Sequence, residues 1–289
     1  MKHLIIDGNN ISNIAFYRAK SVLEEEHKDD PESVEKVLCS FSVNVFLNIF
    51  HMYLKDNKDY KIYMTWDSRS GANWRKQHLD TYKANRDHSA VKNHDVLYDM
   101  MDSVKKLLVN YPVYQIEIEH AEADDLIYSL CDVLQGPKKI ISSDGDMMQL
   151  PQRFSDVKIW HPMLKKYKEV PEYDVILYKS ICGDPSDGIE GLYKFGPKKT
   201  LKAMEGGLSS LSPEHLSIVE HNRTIIDLSK NPSCAENTKR VQEIVSSYQK
   251  DYDFSKIQKM YLDLKLKQHF SNADSIKKLL DNVLETFMM

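Results

Sequence analysis

Apolar positions along this chain follow two periods, and the switches between them outline its elements. His3 to Ile6 is a short apolar run that reads as a buried strand, ending in Asp7-Gly8-Asn9-Asn10. A helical stretch follows, then a charged segment from Glu24 to Pro31. Val34, Val37, Leu38, Phe41, Val45, Ile49 and Met52 keep the 3-or-4 spacing of a helix running to Leu54. Lys61 to Trp66 reads as a second strand that stops at Asp67. Residues 68–94 show no apolar period and are polar, basic and aromatic. The pattern then predicts a helix over Asp95–Val109, a strand over Val113–Ile118, a helix over Ala123–Leu134, a strand over Lys138–Ser143 that stops at Asp144, and a strand over Val157–Trp160. After Pro171 it is mostly helical. Strands alternating with helices imply an α/β core with a mostly parallel sheet. We therefore expect a core over residues 1–170 and an α-helical region over residues 171–289.

Length and composition add limits. A chain of 289 residues holds one large or two modest domains. No uninterrupted apolar run approaches the ~18 residues of a membrane span, so no membrane partner is expected. The amino terminus meets Asp7 too soon for a secretory segment. Cys39, Cys131, Cys182 and Cys234 are far apart, which disfavours a thiol zinc site or a disulfide framework and suggests a reducing cytoplasm. The net charge of −4 argues weakly against a nucleic-acid binder. That average hides a pattern, because nine carboxylates sit in short acidic motifs. Setting them aside leaves 39 basic side chains against 34 acidic ones.

The nine are Asp7, Asp67, Glu122, Asp124, Asp125, Asp144, Asp146, Asp184 and Asp187. Any one alone reads as a turn or helix cap. As a set they read differently. Three follow strand ends, the edge where open α/β sheets place their sites. Two clusters contain no matching Lys or Arg. Acids packed together need a cation, and hard oxygen ligands suit magnesium. Two such ions can clamp the attacking and leaving oxygens of a phosphoryl displacement.

Six motifs occur in one order: Ile5-Ile6-Asp7-Gly8-Asn9, Trp66-Asp67, Tyr82-Lys83-Ala84-Asn85-Arg86, Glu122-Ala123-Asp124-Asp125, Ser143-Asp144-Gly145-Asp146-Met147-Met148-Gln149-Leu150 and Gly183-Asp184-Pro185-Ser186-Asp187. From residue 3 to about residue 205 the chain resembles the 5′→3′ exonuclease/flap endonuclease family, in particular its stand-alone bacteriophage and bacterial members. The resemblance implies a PIN-like α/β core with a helical arch at about 68–94, and a helix–three-turn–helix at about 184–205. It implies hydrolysis of phosphodiester bonds with two Mg2+ or Mn2+ ions. Asp7, Asp67, Glu122, Asp124 and Asp144 would be the inner metal ligands, with Asp146 among them or just outside. Asp125, Asp184 and Asp187 would serve a second ion directly or through water.

The segment between Asp67 and Asp95 carries Arg75, Lys76, Lys83 and Arg86, with Trp74 and Tyr82 among them. Basic groups neutralise phosphates and rings stack on unpaired bases, so Arg75, Lys76 and Tyr82 are candidate DNA contacts. In the resembled family Lys83 and Arg86 would reach the scissile phosphate as electrophiles. Further on, Gly191 to Thr200 brings Gly196 and Pro197 to a helix start, followed by Lys198, Lys199 and Thr200. With Gly191 these are candidate duplex contacts. Here the chain departs from the family's Asp-Asn-Ile-Pro-Gly-Val-x-Gly-Ile-Gly, with Glu190 replacing the proline and Lys194 a hairpin glycine. That departure bears on the K+ site expected at the hairpin.

The expected function is a structure-specific 5′ nuclease acting on 5′ ends, flaps, nicks or gaps of DNA, including RNA–DNA primers, in replication or repair. We expect a cytoplasmic monomer, in a bacterium or a phage-infected host; single-stranded-DNA-binding or polymerase partners are compatible with that role but are not readable in the sequence. The rivals are a PIN-type ribonuclease and a non-catalytic junction-binding protein.

Overall fold

A computed structural model describes residues 1–28, 30–84, 94–247 and 252–288. Chain order runs β1 (Lys2–Asp7), α1 (Gly8–Glu26), α2 (Pro31–Asp56), β2 (Tyr60–Thr65), α3 (Asn73–His78), α4 (His94–Leu108), β3 (Tyr114–Ile116), α5 (Ala123–Val133), β4 (Lys138–Ile141), α6 (Gln149–Arg153), β5 (Val157–His161) and β6 (Lys166–Tyr167). Then come α7 (Val175–Cys182), β7 (Gly183–Asp184), β8 (Ile189–Glu190), α8 (Pro197–Glu205), α9 (Pro213–Ile226), α10 (Cys234–Ser247), α11 (Phe254–Asp263), α12 (Lys267–Ser271) and α13 (Ala273–Met288).

The main sheet has the order β3-β2-β1-β4-β5-β6. All pairings are parallel except that of β6 with β5. The register of β1 with β2 runs from Lys2↔Tyr60 to Asp7↔Thr65. That register brings Asp7, Asp67 and Asp144 to one edge, because each stands at or just past the carboxyl end of its strand.

Alternation along β1 feeds two cores. Leu4 and Ile6 join α1, α2 and α4 on one face. Ile5, Ile140 and Ile159 meet α5 on the other. The helices after residue 170 complete both cores: Leu228 and Val241 sit in the second, while Tyr261, Leu280 and Val283 sit in the first. Within α2 the stretch Glu32–Asp56 is long and apolar enough to cross a membrane, contrary to the reading of the sequence by uninterrupted runs. Its Leu38, Val43, Phe46, Leu47 and Phe50 are buried in the first core.

Helix α3 lies inside the stretch expected to lack regular structure. Its six residues are too few to show a period, and its buried members are Trp74 and Arg75.

Candidate active site

The acids reach the sheet edge by ordinary local chemistry. Asp7 is the N-cap of α1 and accepts from Asn10 N–H at 2.9 Å, and its other oxygen accepts from Ser142 Oγ at 3.0 Å. Capping and site placement thus coincide in one residue. Asp67 accepts from Ala123 N–H at 2.7 Å, which ties the β2 end to the α5 start. Asn9 Oδ1 accepts from Asp67 N–H at 2.9 Å. Asn10 bonds Ser143 through both ends of its amide.

A pocket of about 340 Å³ opens here, lined by Asp7, Asp67, Glu122, Asp124 and Asp144, with Lys83 at its wall. Burial first, and then the nearby Asp67 and Asp144 carboxylates, push Asp7 up to about 7. Burial likewise raises Asp124, against the pull of Arg75. These oxygen-only donors, three of them in mutual repulsion, fit a hard divalent cation.

Protein cations reach Glu122, Asp124, Asp125, Asp146 and Asp184, a correction to the expectation that the acidic clusters lack matching basic groups. Arg75 Nη2 lies 3.0 Å from Asp125 and 3.5 Å from Asp124, and its Nη1 donates to Glu122. Lys83 Nζ donates to Glu122 at 2.6 Å. Burial alone would raise Glu122, yet Arg75 and Lys83 outweigh it and leave its carboxyl below the ordinary value. Lys179 bridges Asp146 at 2.5 Å and Asp184 at 2.6 Å. Even so, burial leads in holding Asp146 up at about 6, with Asp144 adding to it. Asp187 accepts from Tyr82 Oη at 3.2 Å. Of the nine acids, Asp7, Asp67 and Asp144 line the pocket, Glu122 and Asp124 line it and also meet Arg75, Asp125 meets Arg75 outside it, Asp146 and Asp184 share Lys179, and Asp187 accepts from Tyr82.

Several candidate DNA contacts face inward. Arg75 and Tyr82 are each only 2% exposed. Tyr82 packs with Ile189, Ile225 and Ile226, which fastens the segment after α3 to the helical region. Lys83 follows in a left-handed conformation, φ 56°, with its N–H on Asp187 O. Thr200 is buried, whereas Lys76, Lys198 and Lys199 are exposed. A Cβ at Gly191 would lie 2.2 Å from the Cys182 carbonyl, so that glycine serves close backbone packing. Gly196 has φ −86° and open space around it, and so needs no glycine-only geometry. Lys194 takes φ 61°, the left-handed conformation its glycine counterpart would favour. Arg86 lies outside the described residues.

Sequence reasoning missed Lys179, Ser142 and Asn10. The last was signalled by a polar run directly after a strand.

Residues 2–177 match the model of the 5′-3′ exonuclease N-terminal resolvase-like domain. The chain belongs to that family. It is 28% identical over 221 residues to a DNA polymerase I of Caldicellulosiruptor bescii, covering 71% of this chain and 24% of that protein. It is 25% identical over 222 residues to a 5′-3′ exonuclease of Mycoplasma genitalium, covering 71% of this chain and 72% of that protein. The chain spans about a quarter of the length of the DNA polymerase I relatives it matches. Its fold is similar to that of a bacteriophage T5 flap endonuclease solved with DNA and metal ions, with a TM-score of 0.62 at 19% identity, covering 84% of this chain and 99% of that one. For this 5′-3′ exonuclease family member, the sheet edge holding Asp7, Asp67 and Asp144 is the candidate active site.

Proposed function

We propose that the chain is a structure-specific 5′ nuclease that hydrolyses phosphodiester bonds at 5′ ends, flaps, nicks and gaps of DNA, RNA–DNA primers included. The observation that carries this reading is one pocket lined by Asp7, Asp67, Glu122, Asp124 and Asp144 with Lys83 on its wall. Asp7, Asp67, Asp124 and Asp144 are the residues to hold divalent metal, Mg2+ or Mn2+, with Glu122 beside them. Bound there, two such ions would supply the positive charge that phosphoryl displacement needs at the attacking and leaving oxygens. Asp146, Asp184 and Asp187 form the outer, lysine- and tyrosine-held part of the same edge.

The chain's own residues supply the remainder. Lys83 Nζ, fixed on Glu122, presents a cation to a phosphate entering the pocket. Arg86 would share that electrophilic role. Lys198 and Lys199, exposed at the α8 start, contact duplex phosphates. A K+ ion at the hairpin completes the duplex site, in which case duplex affinity is higher in K+ than in Na+ at equal ionic strength. We place this work in a reducing cytoplasm, in keeping with four free cysteines.

The test is a 5′-labelled flap substrate with Mg2+ or with EDTA. Cleavage at the junction should need the metal. Asp67→Asn should abolish it and leave flap binding near normal, since removing an anion beside phosphate does not weaken the contact. Cleavage of free RNA with flap DNA left intact would sink the proposal.

A further inference from the structure

Arg75 makes a set of contacts that neither a DNA-facing arginine nor a packing residue needs. Its Nε donates to Ile225 O at 3.3 Å, Nη2 to Asp125 Oδ1 at 3.0 Å, and Nη1 to Glu122 and, at 3.4 Å, to Asp125 Oδ2. The guanidinium lies 4.5 Å from the Trp74 ring centre and 5.8 Å from that of Tyr82. One planar cation thus joins α3, the start of α5 and the end of α9. Ligand oxygens of Glu122, Asp124 and Asp125 lie within 4.8 Å of one another, a grouping that could equally hold a metal ion. In this protein the guanidinium already stands among them. A lysine could not reproduce this, because its point charge lacks the planar fork.

The three acids are not used alike. Both Asp125 oxygens are taken: Oδ1 by Nη2, and Oδ2 by Nη1 and by Glu122 N–H at 3.1 Å. The Asp125 side chain is 2% exposed, and Asp125 is not part of the pocket lining. Asp124 and Glu122 do line it. Asp124 meets the guanidinium only at 3.5 Å, and Glu122 keeps Oε1 for Lys83.

We propose that Arg75 is a positioning residue of the active site: a built-in cation that withdraws Asp125 from metal ligation and aims Glu122 and Asp124 into the pocket. This rests on the nuclease reading for its effect on rate, but its metal-binding consequences stand apart from that reading. By bonding Ile225 O, Arg75 also locks the helix beyond the hairpin to the metal-facing acids.

The experiment compares Mn2+ binding, followed by the electron paramagnetic resonance signal of the free ion, in the parent chain and in Asp124→Asn, Asp125→Asn, Arg75→Gln and Arg75→Lys. Thermal unfolding in EDTA and single-turnover flap cleavage at saturating DNA accompany it. Asp125→Asn should weaken Mn2+ binding far less than Asp124→Asn does. Arg75→Gln should unfold at lower temperature in EDTA, recover part of the loss on adding Mg2+, and take up Mn2+ at the vacated cation position. Its cleavage rate should fall with DNA affinity unchanged, and Arg75→Lys should restore little of it. If Asp125→Asn loses Mn2+ as severely as Asp124→Asn, Asp125 is a ligand and the proposal is overturned. It is also overturned if Arg75→Gln binds Mn2+ like the parent and loses rate only in proportion to DNA affinity. A parent chain that cleaves no flap DNA, yet shows these isotherms, would refute the nuclease reading and keep the Arg75 assignment.

Discussion

Replacing Asp7 with asparagine should stabilise the metal-free protein while destroying its activity. Burial first, and then Asp67 and Asp144, hold Asp7 up at about 7, whereas an aspartate in an open chain titrates near ~4. Between those two values the folded state binds more protons than the unfolded state. Stability from this group is therefore complete below about pH 4 and is lost as pH rises through about 7. At pH 8 the penalty of the buried charge is roughly 4 kcal/mol. Asparagine cannot ionise, and its amide oxygen can still accept from Asn10 N–H. The weaker neutral hydrogen bonds offset part of the gain, which leaves about 1–3 kcal/mol of net stabilisation. For a chain of this size that is a rise in Tm of about 2–10 °C. The assay is thermal unfolding of parent and variant in EDTA at pH 5 and pH 8, repeated with Mg2+. The variant should lead at pH 8, lose most of its lead at pH 5, and fall behind once Mg2+ stabilises the parent. An equal destabilisation at both pH values would show that the Asp7 carboxylate is satisfied by its hydrogen bonds, and that no cation is wanted there.

Three further outcomes can be checked. Lys83→Ala should slow single-turnover cleavage ~10²–10³-fold while flap binding changes little; matched losses would make it a docking contact. The double variant Lys198→Ala, Lys199→Ala should bind duplex-containing substrate more weakly, with a log–log salt slope lower by about two at most; an unchanged slope in magnesium-free buffer would place the duplex elsewhere. Burial, and to a lesser degree His269, push His51 down to about 3, so it stays neutral in the fold. The unfolded chain takes up that proton below about pH 6.5, so stability should fall from there toward pH 3 by up to about 1.4 kcal/mol per pH unit. Urea midpoints at pH 7, 6 and 5 with Mg2+ present should show that slope, and His51→Gln should flatten it.

Strands and long helices were legible in the sequence because burial imposes their period: the β1 run and the α2 stripe both lie in the core. The strand-end acids were legible because a parallel sheet places its carboxyl ends together. What stayed hidden is long-range pairing. Arg75 and Glu122 stand 47 positions apart in the chain, and Lys179 and Asp146 stand 33 apart. No local pattern announces such partners, so clusters that look uncompensated along the chain are partly neutralised in space. Arg75 and Tyr82 look like surface residues of a charged loop for the same reason. Packing on Ile189, Ile225 and Ile226 turns Tyr82 inward, and bonds to Glu122, Asp125 and Ile225 O draw Arg75 in. Lys194 is the opposite case: it takes the left-handed backbone that a glycine at its position favours.

The central claim is that the acids at the sheet edge form one divalent-metal site. Crystals soaked in Mn2+ and measured by anomalous diffraction test it most directly. The account predicts manganese peaks in the pocket lined by Asp7, Asp67, Asp124 and Asp144, and none on Asp125. A pocket without manganese at a concentration that supports cleavage, or a peak held by Asp125 with Arg75 displaced, would contradict it.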